Sequence, residues 1–589
     1  MVGEEITVAK EGEILLSSII HEKNVPAVMK DGTILYADVF RPQGEGKYPV
    51  LLQRTPYNKA FLPLTTMVLD PIAAAHQGYV VIIQDVRGRF ESEGEPFYIY
   101  KNEYQDGFDS VEWAASLPYS DGNVGMYGLS YKGMTQFQAA AMQPPHLKAI
   151  FPITWGADAF MYRGGALELG LLISWSLATI GPNAVVKAKK GKEDFGREFM
   201  QLVDAIDHIE EAGFQQLPLQ DSEWLKLGDG FASFVHDILE HEMRDEFHQE
   251  IGLKEKAARF NVPVFGLAGW YDLLLGQDLE HYETWKHKNH TKLMIGPWAH
   301  AGFAPQVGEL NFGLSASSLL LDMKTDLTSL QLQWFDYWLK GIQNGIIDEA
   351  PVKIFVMGEN KWRSEQEWPL QRTVYTPYYF ESNGKANTKN GDGSLSINMP
   401  QDENFDTYVY DPANPVPTLG GNHLLPANYP RGPIDQQYIE EREDVLVYCS
   451  GLLTEDLEVT GPVKVILYAS SSAVDTDFTA KLVDVHSNGK AINIADGIIR
   501  AKYRENNQPP SLITPNEVYR YEIDLLATSN VFKKGHKLRV EISSSNFPRF
   551  DRNLNTGESG KDSKEMIAAT QKIYHSEKYP SHILLPVIP

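Results

Sequence analysis

Gly125-Met126-Tyr127-Gly128-Leu129-Ser130-Tyr131-Lys132-Gly133 decides how this chain is read. It joins a short apolar run at 123–127 to an Ala-rich helical stretch at 134–143, which Pro144-Pro145 closes. A serine in a tight turn between a strand and a helix is lifted above the sheet, with its hydroxyl open to a cleft. Gly128 allows the close backbone approach that such a turn needs. The usual spacing is G-x-S-x-G. Here Lys132 stands two residues after the serine and the glycine follows at 133, so the stretch alone also reads as a structural Gly-Ser turn.

Outward from this point the chain alternates. Runs at 49–52 and 79–83 are nearly continuously apolar, as strands buried on both faces are. Between them an apolar stretch ends at Gly78, in the place of a helix C-cap, and residues 106–117 have helical spacing up to Pro118. Strand, helix, strand, helix implies a parallel α/β sheet. From about 153 to 256 strand signals vanish, and amphipathic stretches at 193–212 and 231–250 read as helices. Strand patterns return at 262–267 and 292–295, and a helix at 329–340 follows. After Pro351 short strands recur at 463–470, 478–485, 518–526 and 537–543, the last with Leu538, Val540 and Ile542 alternating with Lys537, Arg539 and Glu541. The expectation is an α/β domain (1–152 and 257–350) carrying a helical cap insertion (153–256), then an all-β, jelly-roll-like domain (351–589).

The 589 residues, 43% hydrophobic and 11% aromatic, can build several cores. A net charge of −25 disfavours nucleic acid and anionic membrane as partners. One cysteine, Cys449, excludes a disulfide framework and a cysteine-rich zinc site, and its place after an apolar run reads as a buried strand residue. Neither a signal-peptide pattern nor 18 consecutive apolar residues is present; the richest stretch, 167–180, is shorter. The expectation is a soluble, cytoplasmic protein.

A nucleophilic serine needs a base, and the base a carboxylate that fixes its tautomer. Asp272 lies directly past the strand pattern that ends at Tyr271, and His300 directly past the next, in Gly296-Pro297-Trp298-Ala299-His300. The order Ser, Asp, His suits an α/β-hydrolase. His300 is preferred among 16 histidines by position, and Asp272 over Asp278 because Asp278 falls on the following helix. His241-Glu242, Gly44-Glu45-Gly46-Lys47 and Asp475-Thr476-Asp477 fail as zinc, phosphate and calcium motifs, so neither cofactor nor metal is expected.

With these stretches, and with Arg54-Thr55-Pro56-Tyr57, Gln84-Asp85-Val86-Arg87-Gly88 and the segment 543–553 (SSSNFPRFDRN), the chain resembles the cocaine esterase and X-Pro dipeptidyl-peptidase (CocE/NonD) group of serine hydrolases over nearly its whole length. In that group Ser-x-x-Gly replaces Ser-x-Gly. The resemblance implies Ser130 as nucleophile, His300 as base and then acid, Asp272 as its orienter, and an oxyanion hole from the Tyr57 hydroxyl and the Tyr131 N–H. Asp85 and Arg87 read as a turn-fixing pair.

The implied activity is cleavage of a small-molecule ester, or an activated amide, through an acyl-enzyme. X-Pro dipeptidyl-peptidase, α-amino-acid ester hydrolase and glutaryl or cephalosporin acylase are the alternatives within the class; a non-catalytic carbohydrate-binding or scaffold protein is the alternative outside it. The oligomeric state, a homodimer included, stays open. Leu274 and Leu275 stand where the amino-acid ester hydrolases place acidic residues, and Asp158 alone matches a member of their ammonium-binding cluster. Trp155, Trp175 and Leu274 are therefore expected to form an apolar acyl pocket.

Overall fold

The computed structural model describes residues 18–156, 161–253, 256, 259–288, 290–401, 403–505 and 509–589. Ten strands form one sheet: β1 (Ile19–Val28), β2 (Ile34–Pro42), β3 (Tyr48–Thr55), β4 (Val80–Asp85), β5 (Ser120–Leu129), β6 (Leu147–Ile153), β7 (Val264–Tyr271), β8 (Thr291–Ala299), β9 (Val352–Val356) and β10 (Lys361–Glu365). Their spatial order is β1-β2-β4-β3-β5-β6-β7-β8-β9-β10. The centre, from β4 through β3 to β9, is parallel. Both edges are antiparallel, so the sheet is mixed rather than parallel throughout. β1 escaped the sequence reading because an edge strand with polar, exposed residues lacks the apolar run of a central one, whereas β2, also not read as a strand, is largely buried beside β4. The sheet also ends at Glu365, past the boundary expected at 350, because β9 and β10 complete it.

Strand periodicity builds two cores. Val50, Leu52, Val80 and Ile82 face one side, with Val111, Phe137 and Trp285 from the covering helices. Leu51, Val81 and Ile83 face the other, against Ala74, Trp334 and Phe335. The covering helices include Glu103–Ser116, Tyr131–Ala141 and Leu275–Trp285 on the first face and Leu327–Lys340 on the second.

The insertion between β6 and β7 is largely helical. The stretch expected as one helix over 193–212 is Phe195–Asp207 followed by a wider turn at Glu210–Phe214, and that over 231–250 is split into Ser233–Glu240 and Glu246–Ile251. A small ribbon, Tyr162–Arg163 with Ala166–Leu167, precedes them. One continuous helical run, Leu169–Lys189, is 21 residues long and apolar enough to span a membrane by length and composition, although small and polar residues interrupt its apolar ones. Its apolar side is accounted for by the cap core, where Leu172, Trp175, Leu177 and Ile180 are buried.

The remainder forms an eleven-stranded sheet, almost wholly antiparallel, around its own core. It includes β11 (Asp477–Val485), β12 (Ala491–Arg500) and β13 (Lys537–Ser543). Leu538, Val540 and Ile542 point inward as the alternation requires, but Glu541 is buried too, facing Lys481 across 3.7 Å. β13 lies between two neighbours and is covered on both faces there.

Candidate active site

β5 delivers the chain to Ser130, which adopts φ 62° and ψ −127° and caps the helix Tyr131–Ala141. Positive φ in a non-glycine residue is strained and marks a turn the surroundings enforce. Here the Ser130 N–H donates to the Ile153 carbonyl at 2.9 Å, while its own carbonyl accepts from Gly133. The glycine spacing has a steric cause. A Cβ on Gly133 would lie 2.7 Å from the Trp155 Cβ, and one on Gly128 would lie 2.6 Å from the Lys132 Cβ. Glycine is therefore needed at 133, where helix meets β6, and not at 132.

His300 and Asp272 follow β8 and β7, two adjacent parallel strands, so their side chains emerge side by side. His300 Nε2 is 3.0 Å from Ser130 Oγ, and His300 Nδ1 is 2.9 Å and 3.1 Å from the Asp272 carboxylate oxygens. Asp272 is fully buried, and its Oδ1 also accepts from the Leu274 N–H. Two residues that the sequence did not single out hold this pair from behind. Asn422 donates to the carbonyls of Trp270 and Asp272, and Arg431 donates to the carbonyl of His300. Asp278 is buried elsewhere, accepting from the Gly156 N–H at 2.7 Å. Burial, reinforced by the charge of Asp272, raises its carboxyl well above the usual range.

Tyr57 stands on the loop after β3. The Trp175 indole N–H donates to the Tyr57 hydroxyl oxygen at 3.1 Å, so the hydroxyl is left to donate its own proton. Burial raises its pKa and keeps the phenol protonated. The loop is pinned on both sides: Arg89 donates to the carbonyls of Pro56 and Ile180, and the Lys59 N–H donates to Asp85. Asp85 and Arg87 are thus not partners of one another, since Arg87 pairs with Asp106 and Asp31. The Tyr131 N–H lies in the first turn of its helix, where it has no intrahelical acceptor. The Tyr131 ring stacks on Tyr100, and its hydroxyl donates to Glu103, which Arg54 neutralises.

These groups open onto a cavity of about 220 Å³ that reaches Ser130, His300 and Tyr57. Its walls include Ile99, Met161, Leu171, Trp175, Leu273 and Leu274. Among the described residues no carboxylate lines it, and Lys132 is the one charged side chain that does. The Lys132 amine donates to the Leu64 carbonyl at 2.7 Å, and burial brings its pKa down to about 7. Trp155, expected in the acyl pocket, is instead core: it packs behind Gly133 and donates its N–H to His281 at 3.0 Å. A tryptophan just past a central strand can turn either to the cleft or to the layer beneath, and Gly133 makes room for it beneath. Asp158 lies outside the described residues.

Comparison with known proteins agrees with this layout. Residues 31–302 match the X-Pro dipeptidyl-peptidase (S15 family) model, and residues 344–584 match the X-Pro dipeptidyl-peptidase C-terminal non-catalytic domain. The chain is 41% identical over 574 residues to cocaine esterase from Rhodococcus sp. (strain MB1 Bresler), covering 96% of this chain and 98% of the relative. Among solved structures, an α-amino acid ester hydrolase superposes with a TM-score of 0.76 at 26% identity, covering 99% of this chain and 98% of that one. An aminopeptidase from a marine sediment Thaumarchaeota archaeon shares the fold, with a TM-score of 0.79 at 24% identity over 100% and 99% of the two chains. The chain is an enzyme that belongs to the X-Pro dipeptidyl-peptidase (S15) family of serine hydrolases and is similar over nearly its whole length to a cocaine esterase.

Proposed function

We propose that this enzyme hydrolyses carboxylic esters whose acyl group is neutral and apolar, through an acyl-enzyme on Ser130. Ser130 Oγ attacks the ester carbonyl carbon while His300 Nε2 takes its proton, and Asp272 holds the imidazole in the required tautomer. The negative charge that forms on the carbonyl oxygen is met by the Tyr57 O–H and the Tyr131 N–H. Collapse expels the alcohol, which takes the proton from His300. Water, activated by the same histidine, then releases the acid and restores Ser130.

The observation that carries the acyl preference is the cavity wall beside Ser130, apolar and without a carboxylate among the described lining residues. An apolar acyl group gains up to about 1.5–3 kcal/mol there, whereas an unpaired ammonium would cost several kcal/mol. The Lys132 amine adds repulsion whenever it is protonated. An α-amino acyl ester or an X-Pro peptide, each with its ammonium, is disfavoured on the same ground. The test compares phenylacetyl with phenylglycyl esters of one alcohol near neutral pH. A clear kcat/KM advantage for the phenylacetyl ester is expected, and faster turnover of the phenylglycyl ester overturns the reading.

A further inference from the structure

We propose that Asp484, His486 and His536 form a binding site for one divalent transition-metal ion, with Zn²⁺ the ion that their donor set fits. The site lies in the C-terminal β-domain and takes no part in the triad chemistry. Strand register creates it. In the antiparallel β11–β13 ladder, Asp484 stands opposite Leu538 and Val485 opposite Lys537. His486 and His536 each lie one residue beyond the end of this ladder, where their rings stack, and Asp484 stands two residues back from His486 on β11.

Both histidine backbones are held in hydrogen-bonded turns: His486 N–H donates to the Lys490 carbonyl, and His536 N–H to the Lys533 carbonyl. His536 Nδ1 is 2.9 Å from Asp484 Oδ1, and His486 Nε2 is 3.6 Å from Asp484 Oδ2. One ligand atom from each residue lies within 4.8 Å of the other two, and among the described residues this is the one such group. Ligands bound tetrahedrally to zinc at about 2.0–2.1 Å stand roughly 3.3 Å apart, so small side-chain rotations bring all three into range. The imidazole rings lie face to face, 4.5 Å between centroids, and are partly exposed, while Asp484 is buried. Solvent therefore reaches the histidine side, leaving room for ion entry and for a water as fourth ligand. Two imidazoles and a carboxylate are a donor set typical of zinc. Bound there, the ion would cross-link β11 to β13.

The experiment uses untagged, chelator-treated, full-length enzyme titrated with Zn²⁺ alone by calorimetry, and with Co²⁺ alone by visible absorption. Expected are one equivalent of Zn²⁺ with a Kd on the order of 1 μM or tighter, a tetrahedral Co²⁺ spectrum, and a Zn²⁺-dependent rise in Tm. His486→Gln and His536→Gln should each weaken binding by at least about tenfold and abolish the rise in Tm, while His146→Gln, at a distant exposed histidine, should not. If His536→Gln fails to fold, His486→Gln, on the turn, carries the comparison. Absence of a stoichiometric site, or binding that these variants leave unchanged, overturns the proposal.

Discussion

What the Tyr57 oxygen accepts determines where its proton goes. With the Trp175 N–H occupying a lone pair at 3.1 Å, the phenol donates into the cleft. Tyr57→Phe should lower kcat by about 10² to 10³, with little change in stability. Trp175→Phe keeps an aromatic wall but loses the orienting N–H. It should lower kcat by about tenfold and leave KM for an apolar ester nearly unchanged; a pure KM effect would make Trp175 a wall and nothing more. The serine and the two buried aspartates separate equally sharply. Ser130→Ala should cost on the order of 10⁴ to 10⁶ in kcat with the fold intact. Asp272→Asn should be severe, because His300 then loses the partner that sets its tautomer. Asp278→Asn should be mild, because Asp278 accepts from the Gly156 N–H rather than from the His300 imidazole, and an amide oxygen can accept the same bond. Steady-state kinetics on one p-nitrophenyl ester checks all of these, and a worse defect for Asp278→Asn would reassign the carboxylate.

At the scale of the element, the helix Tyr131–Ala141 carries an internal conflict. Its first turn, at the positive end of the helix dipole, buries the amine of Lys132 with one carbonyl as partner. Burial lowers that amine from 10.5 to about 7. Between those values the unfolded chain binds a proton that the folded chain does not, so the Lys132 contribution to stability rises with pH from about 7 to 10.5. Lys132→Met removes the penalty. The variant should be more stable than wild type near pH 7.5, and its advantage should shrink by about 1.4 kcal/mol per pH unit up to pH 10. Urea unfolding at three pH values measures this, and a pH-independent difference would contradict it.

At the scale of the whole molecule, the C-terminal half holds the site from outside the α/β domain. Asn422 ties the Asp272 loop and Arg431 the His300 loop. The segment 543–553 secures the cap: Asp551 accepts from the Leu167 N–H at 2.7 Å, and the Arg549 carbonyl accepts from Gly170. Asp551 is itself paired with Arg500, and Arg549 with Asp496. Asn422→Ala should therefore lower kcat by about 10- to 10²-fold without touching substrate, through displacement of Asp272. An unchanged kcat would show that the loop after β7 holds its geometry alone.

The sequence by itself determined the layers and pointed to Ser130, Asp272 and His300, which the structure brings within hydrogen-bond distance of one another. Apolar runs such as 79–83 and the turn at Gly128-Leu129-Ser130 are local patterns, and Ser130, Asp272 and His300 each follow directly on a strand whose apolar run is visible. Local chemistry could not reveal what depends on which surfaces meet. The edge strand β1 is polar and half-exposed, and β9–β10 join the sheet from beyond the helix Leu327–Lys340. Trp155 and Trp175 read alike in sequence, yet one fills the space that Gly133 leaves and the other reaches Tyr57. Asn422 and Arg431 lie in loops without periodicity, about 150 and 131 residues from the carbonyls they hold, and only tertiary packing brings them there.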